Sequence, residues 1–112
     1  MLQYRILGAV LAVAAFPIFA AAAGDWPQSG VDTLGAACRQ QPRSDVPPKY
    51  NAAYCACLIS SAPDAIPWND WVSADATVRA TGAASLQGKD KATMIAMLMA
   101  GQRCFERTVP QR

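Results

Sequence analysis

The sequence predicts an all-α domain: a small bundle of three to four short helices, cross-linked by two disulfides, behind an N-terminal signal peptide. Three observations carry that prediction. Past residue 24, apolar side chains recur at three- and four-residue spacing and never alternate as a strand would require. Prolines and glycines fall between those periodic stretches. Four cysteines stand in a chain too short to be held by its core alone.

Residues 1–23 come first in chain order. Nineteen of the 23 are apolar and Arg5 is the only charge. Arg5 is a short positive start, Ile6 to Phe19 an apolar run, and Ala20 to Ala23 a string of small side chains. That is the layout of a secretory signal peptide, with the cut expected after Ala23. The rival is an uncleaved anchor, since about 18 apolar residues sit at the lower limit for spanning a bilayer. Pro17 and the alanine string favour cleavage. The chain therefore divides into a signal peptide at 1–23 and a disulfide-stapled helical domain at 24–112. After cleavage no membrane span is expected, and the short basic start suits a bacterial export route to the periplasm or the exterior.

Removing the first 23 residues leaves 89, of which 40 are apolar, an ordinary globular share of about 45%. Fifteen of those 40 are alanine, which offers little area to bury. The chain carries 10 Lys and Arg against 8 Asp and Glu, so loss of Arg5 leaves a net charge near +1. That balance argues against nucleic-acid binding, which needs a concentrated basic surface. The absence of histidine removes Ser-His and Cys-His catalysis, histidine metal sites and c-type haem attachment.

A polar lead-in from Gly24 to Gly30 holds Trp26 and Pro27. Ser29 is placed to cap a first helix with Asp32 at its third position, and Val31, Leu34 and Cys38 follow at helical spacing. Arg39 to Pro48 is a loop, and Pro48 suits the first turn of a second helix. That helix carries Tyr50, Tyr54, Cys55, Cys57 and Leu58 and is expected to end near Ser61-Ala62-Pro63. Asp64 to Pro67 is a turn. Trp68 opens a third, shorter helix, which Thr81-Gly82 ends. Ser85 to Lys89 connects to the last helix, Lys91 to Arg107, on which Met94, Met97, Leu98, Gly101, Cys104 and Phe105 share a face. Arg103 and Arg107 suit the negative end of its dipole.

Cys38, Cys55, Cys57 and Cys104 are expected to form two disulfides. Cys55 and Cys57 are two apart on a helix and point about 200° away from one another, so they cannot bond together. Each must reach a different helix. Two pairings satisfy this: Cys38–Cys55 with Cys57–Cys104, or Cys38–Cys57 with Cys55–Cys104. The stripe Tyr50, Tyr54, Cys57 and Leu58 favours the second. Either way the middle helix is stapled to both neighbours, at on the order of 3–4 kcal/mol per bridge.

The order Cys38, Tyr54-Cys55-Ala56-Cys57, Trp71, Cys104 resembles a broad group of small exported bacterial proteins. These carry one cysteine, a Tyr-Cys-x-Cys helix and a late helical cysteine. The resemblance implies export and a helical, disulfide-bonded domain, and it implies no activity.

Three kinds of site compete. A redox role for Cys55 and Cys57 needs an exposed thiolate of lowered pKa, whereas this pair sits mid-helix, so structural bridges are the better account. Met94 and Met97 offer thioethers suited to Cu(I), but methionine beside Ile95 and Leu98 is ordinarily packing material. A zinc site from all four cysteines suits neither the spacing nor an oxidising compartment. The aromatic set is the remaining candidate: Trp68 and Trp71 (i, i+3) and Tyr50 and Tyr54 (i, i+4), together with Trp26. Aromatics with a polar edge suit interfaces, and the competing account makes most of them core.

The leading expectation is thus a non-enzymatic exported binding module with an unidentified protein or envelope partner. No cofactor and no catalytic residue is expected. A periplasmic copper-binding protein using Met and Cys sulfur is the alternative, and a periplasmic stress chaperone a further one.

Overall fold

Four α-helices follow one another along residues 24–111, the part of the chain that the computed structural model describes. The segment at 1–23, read from the sequence as a signal peptide, lies outside the described residues. The helices are α1 (Gln28–Gln40), α2 (Asn51–Ala65), α3 (Trp68–Thr81) and α4 (Gly88–Thr108). Short 3₁₀ turns at Pro48–Tyr50 and Ala83–Ser85 lead into α2 and follow α3. Among the described residues there is no strand, and no helix is long and apolar enough to cross a membrane.

The helix ends correct the sequence reading in detail. Ser29 does not cap α1. The helix starts two residues earlier than such a cap would place it, with extended Pro27 at the cap position and its carbonyl accepting from the Gly30 and Val31 amides at 2.9 and 3.1 Å. The second helix does not stop near Ser61-Ala62-Pro63 but carries Pro63 inside it and runs to Ala65. A proline this near a C-terminus removes only the single bond its own amide would make. The neighbouring carbonyls stay occupied, Ala62 by the Ile66 amide and Pro63 by the Gly24 amide. The last helix begins at Gly88 rather than Lys91, behind an extended Gln87. Gly82 ends α3 with φ +91°, a conformation that favours glycine.

Packing runs in series: α1 on α2, α2 on α4, and α4 on α3. The main core joins Tyr54, Cys55, Leu58 and Ala62 of α2 to Ala100 and Cys104 of α4, with Val46 and Val109 closing its ends. Alanine supplies close approach rather than area. Ala62, Ala74 and Ala100 are wholly buried, one on each of α2, α3 and α4. The α3–α4 contact is also polar. Asp90 accepts hydrogen bonds from Ser73 Oγ (2.7 Å) and Thr77 Oγ1 (2.9 Å), and Lys89 pairs with Asp70 at 3.1 Å.

All four cysteines are bridged, in the pairing that the sequence reading did not favour: Cys38–Cys55 and Cys57–Cys104. The Cα–Cα distances, 5.8 and 5.7 Å, are ordinary for disulfides. Cys55 lies on the buried face with Leu58 and Ala62, and Cys57 is half-buried one side over. The stripe of Tyr54 and Leu58 does mark α2's inner face, but it does not say which neighbouring helix lies on which side. Ser61 sits one turn beyond Cys57, its Oγ 3.8 Å from both sulfurs of the second bridge.

The expected apolar face of α4 is only partly inward. Thr93, Ala100, Gly101 and Cys104 are buried, with Met97 and Phe105 half-buried against the core. Leu98, expected on that face, is 66% exposed, beside exposed Met99 and Ile95.

Candidate binding cleft

A cleft of about 390 Å³ lies between α1 and α3. The wall on α1 is made of Ser29, Gly30, Thr33, Leu34 and Ala37, small side chains apart from Leu34. The wall on α3 is made of Trp68, Trp71, Val72, Asp75, Ala76 and Arg79. Glycine at 30 is required by this approach. A Cβ there would lie 2.6 Å from Trp68 Cζ3, closer than real contacts allow.

Trp26 fixes both wall tryptophans from beneath. It is buried, and its indole N–H donates to the Ile66 carbonyl at 2.8 Å. Its ring lies 4.9 Å from Trp68 in a tilted contact and 6.1 Å from Trp71 in a nearly parallel one, both within the favourable range for aromatic pairs. Asp25 adds a further tie by accepting from the Trp68 amide at 3.0 Å. It supplies from another segment the cap that Pro67, at α3's own N-cap position, does not. The residues before α1 thereby order the first turn of α3.

Trp68 and Trp71 are half-buried and make no side-chain hydrogen bond to another described residue, so each can offer an N–H to a ligand. At the far end of the cleft, Arg79 donates to Asp75 at 2.8 Å. That bond, with the attraction of the same carboxylate, raises the Arg79 pKa above its usual value. The pair is exposed enough to contribute little stability. It gives the cleft one polar rim beside an apolar floor.

The two tyrosines of the aromatic set are elsewhere. Tyr54 is buried in the main core, and Tyr50 is half-buried against it, so both take the core role. Tyr54 also lines a second hollow, with Leu58, Met97, Leu98 and Met99. There the Arg43 guanidinium lies 4.9 Å from the Phe105 ring centroid and 5.9 Å from that of Tyr54. It is held there by donating two bonds to Asp45 (2.7 and 2.9 Å) and one to Gln102 (2.9 Å). The hydrogen bonds to Asp45 chiefly raise the Arg43 pKa. Partial burial opposes them, and Tyr54 adds to them.

No family model matches this chain, and no curated protein or solved structure matches it.

The sulfur candidates separate cleanly. With every cysteine in a bridge, no thiolate is available as a ligand. Met97 packs on the core, and Met94 is half-buried without lining the hollow that Met97 and Met99 share. Among the described residues no three His, Cys, Asp or Glu side chains gather as a metal site. The sequence reading named Trp26, Trp68 and Trp71 together but not the place of Trp26 beneath the other two, nor Asp25 or the opposite wall. The small residues Gly30, Thr33 and Ala37, three and four apart on one face of α1, were the available signal.

Proposed function

We propose that this protein is exported, with its leader removed after Ala23, and acts in the periplasm or the exterior as a binding module without catalytic turnover. The α1–α3 cleft is its binding site. It takes an apolar or aromatic group presented by a protein or envelope partner. One observation carries the proposal: two half-buried tryptophans, held by a buried third, face a wall of small side chains across an open cleft. Tryptophans anchored this way lose little entropy on binding and offer ring faces and N–H donors together. The two disulfides support the oxidising compartment. The absence of histidine, and the commitment of Asp75 to Arg79, support binding over turnover.

All three tryptophans of the chain belong to this one cluster, so intrinsic fluorescence reports the site alone. Titration with the aromatic probe anilinonaphthalene sulfonate should show energy transfer from tryptophan. Ala37→Trp, which fills the cleft from α1, should weaken binding at least tenfold with the circular-dichroism spectrum unchanged. Binding that ignores Ala37→Trp and is lost in Leu98→Glu would move the site to the α4 strip. That outcome would favour the second reading, a chaperone that holds unfolded clients. Its support is the exposed run of Ile95, Leu98 and Met99. Turnover in a broad hydrolase screen would overturn the non-enzymatic reading.

A further inference from the structure

Three hydrogen bonds tie residues 24–26 to the corner between α2 and α3. The Gly24 amide donates to the Pro63 carbonyl at 2.9 Å, Trp26 Nε1 to the Ile66 carbonyl at 2.8 Å, and the Trp68 amide to Asp25 Oδ1 at 3.0 Å. The first of these involves the residue that the expected cut would leave as the new terminus. Gly24 also faces a carboxylate. A Cβ built on it would lie 3.5 Å from Asp64 Oδ1, which puts its nitrogen within about 6 Å of that oxygen by covalent geometry.

We propose that Gly24 is a processed terminus with a built seat. Once the bond after Ala23 is hydrolysed, the α-ammonium of Gly24 keeps its hydrogen bond to Pro63 and pairs with the Asp64 carboxylate. The proposal rests on the export reading above. Hydrolysis adds water across the Ala23–Gly24 peptide. Ala23 leaves as a carboxylate and Gly24 gains an ammonium with three donors in place of one. One donor is already directed at Pro63, and the others are free for Asp64. Before cleavage Gly24 holds φ +71°, which restricts the position to glycine. After cleavage that torsion no longer exists, and the constraint disappears with the leader. Asp64, from the end of α2, faces the new charge, while Asp25, the next residue in sequence, already accepts from the Trp68 amide.

The chain offers a clear readout. It has no histidine, and all four cysteines are bridged, so the α-amine is the group whose ordinary range falls between about pH 6 and 9. Pairing with a carboxylate raises that amine's pKa in the folded chain above its ordinary value of about 7.7–8.0. The stability it adds is complete below the ordinary value and is lost as pH rises through the raised one.

The test uses the exported protein. Intact mass should correspond to a chain beginning at Gly24. Melting temperature should then fall between about pH 7.5 and 9.5 in the wild type, and Asp64→Asn should flatten that fall. A mass beginning elsewhere overturns the processing reading and this proposal with it. A chain that does begin at Gly24, yet gives the same pH profile in the wild type and in the Asp64→Asn variant, overturns the seat alone and leaves processing standing.

Discussion

Gly30 of α1 lies against the six-membered ring of Trp68, with room for a hydrogen and not for a methyl group. This contact sets the distance between the two walls of the cleft. It also separates two glycines of the same helix that look equivalent in sequence. Gly35 has Arg39 Nη1 as its nearest would-be contact, at 3.1 Å, and that group is the end of a flexible side chain.

Gly30→Ala should therefore destabilise by about 1–3 kcal/mol, overpacking outweighing the roughly 1 kcal/mol by which alanine favours a helix. Gly35→Ala should be neutral or stabilising by up to about 1 kcal/mol. Paired urea melts check both. Fluorescence should change only in the Gly30 variant, because Gly30 touches the tryptophan cluster through Trp68 and Gly35 has Arg39 and Ile59 as its near neighbours.

Gly101 faces Tyr54 in the same way. A Cβ there would lie 2.9 Å from the tyrosine oxygen, and Tyr54 is too buried to move aside. Gly101→Ala should cost about 1–3 kcal/mol in the wild type. Adding Tyr54→Phe removes the clashing atom and should recover part of that loss. A double-mutant cycle measured by thermal melts should give a coupling above about 0.5 kcal/mol.

The two bridges should contribute unequally. Cys38–Cys55 closes 17 residues and Cys57–Cys104 closes 47. In the chain-entropy model these are worth about 3 and about 4 kcal/mol. Replacing each pair with alanine should reproduce that order in denaturant midpoints. Peptide mapping of the oxidised protein should recover the two cross-linked pairs directly.

Asp25→Ala removes the acceptor for the Trp68 amide and should cost about 1 kcal/mol. Its distinguishing mark is local. Hydrogen exchange should accelerate in the first turn of α3 while α2 and α4 keep their protection.

Helix content, the helix starts at Pro48 and Trp68 and the need for two bridges were legible in the sequence because each depends on neighbours within a few residues, whereas Pro63 reads as a stop and is not one. Pro27, Pro48 and Pro67 sit at helix starts for local backbone reasons. The exclusion of a Cys55–Cys57 bond follows from helix geometry alone. Trp68 and Trp71 stood out as interface candidates from type and spacing. Leu98 misled, because a spacing rule gives a helix an inner face without saying how much of it a neighbour reaches. Here α2 and α3 both contact α4, yet Leu98 stays 66% exposed.

The sequence by itself determined an all-helical chain whose central helix must be bridged to two others. Which bridge goes where was decided only by tertiary structure. Cys55 and Cys57 point to opposite sides of α2, and the side on which α1 lies depends on how the connection over residues 41–47 crosses over. No local torsion encodes that choice. The same holds for the cleft: Gly30 and Trp68 are 38 residues apart, and it takes the packing of α1 on α2 together with the tie of residues 24–26 to the α2–α3 corner to bring them into contact.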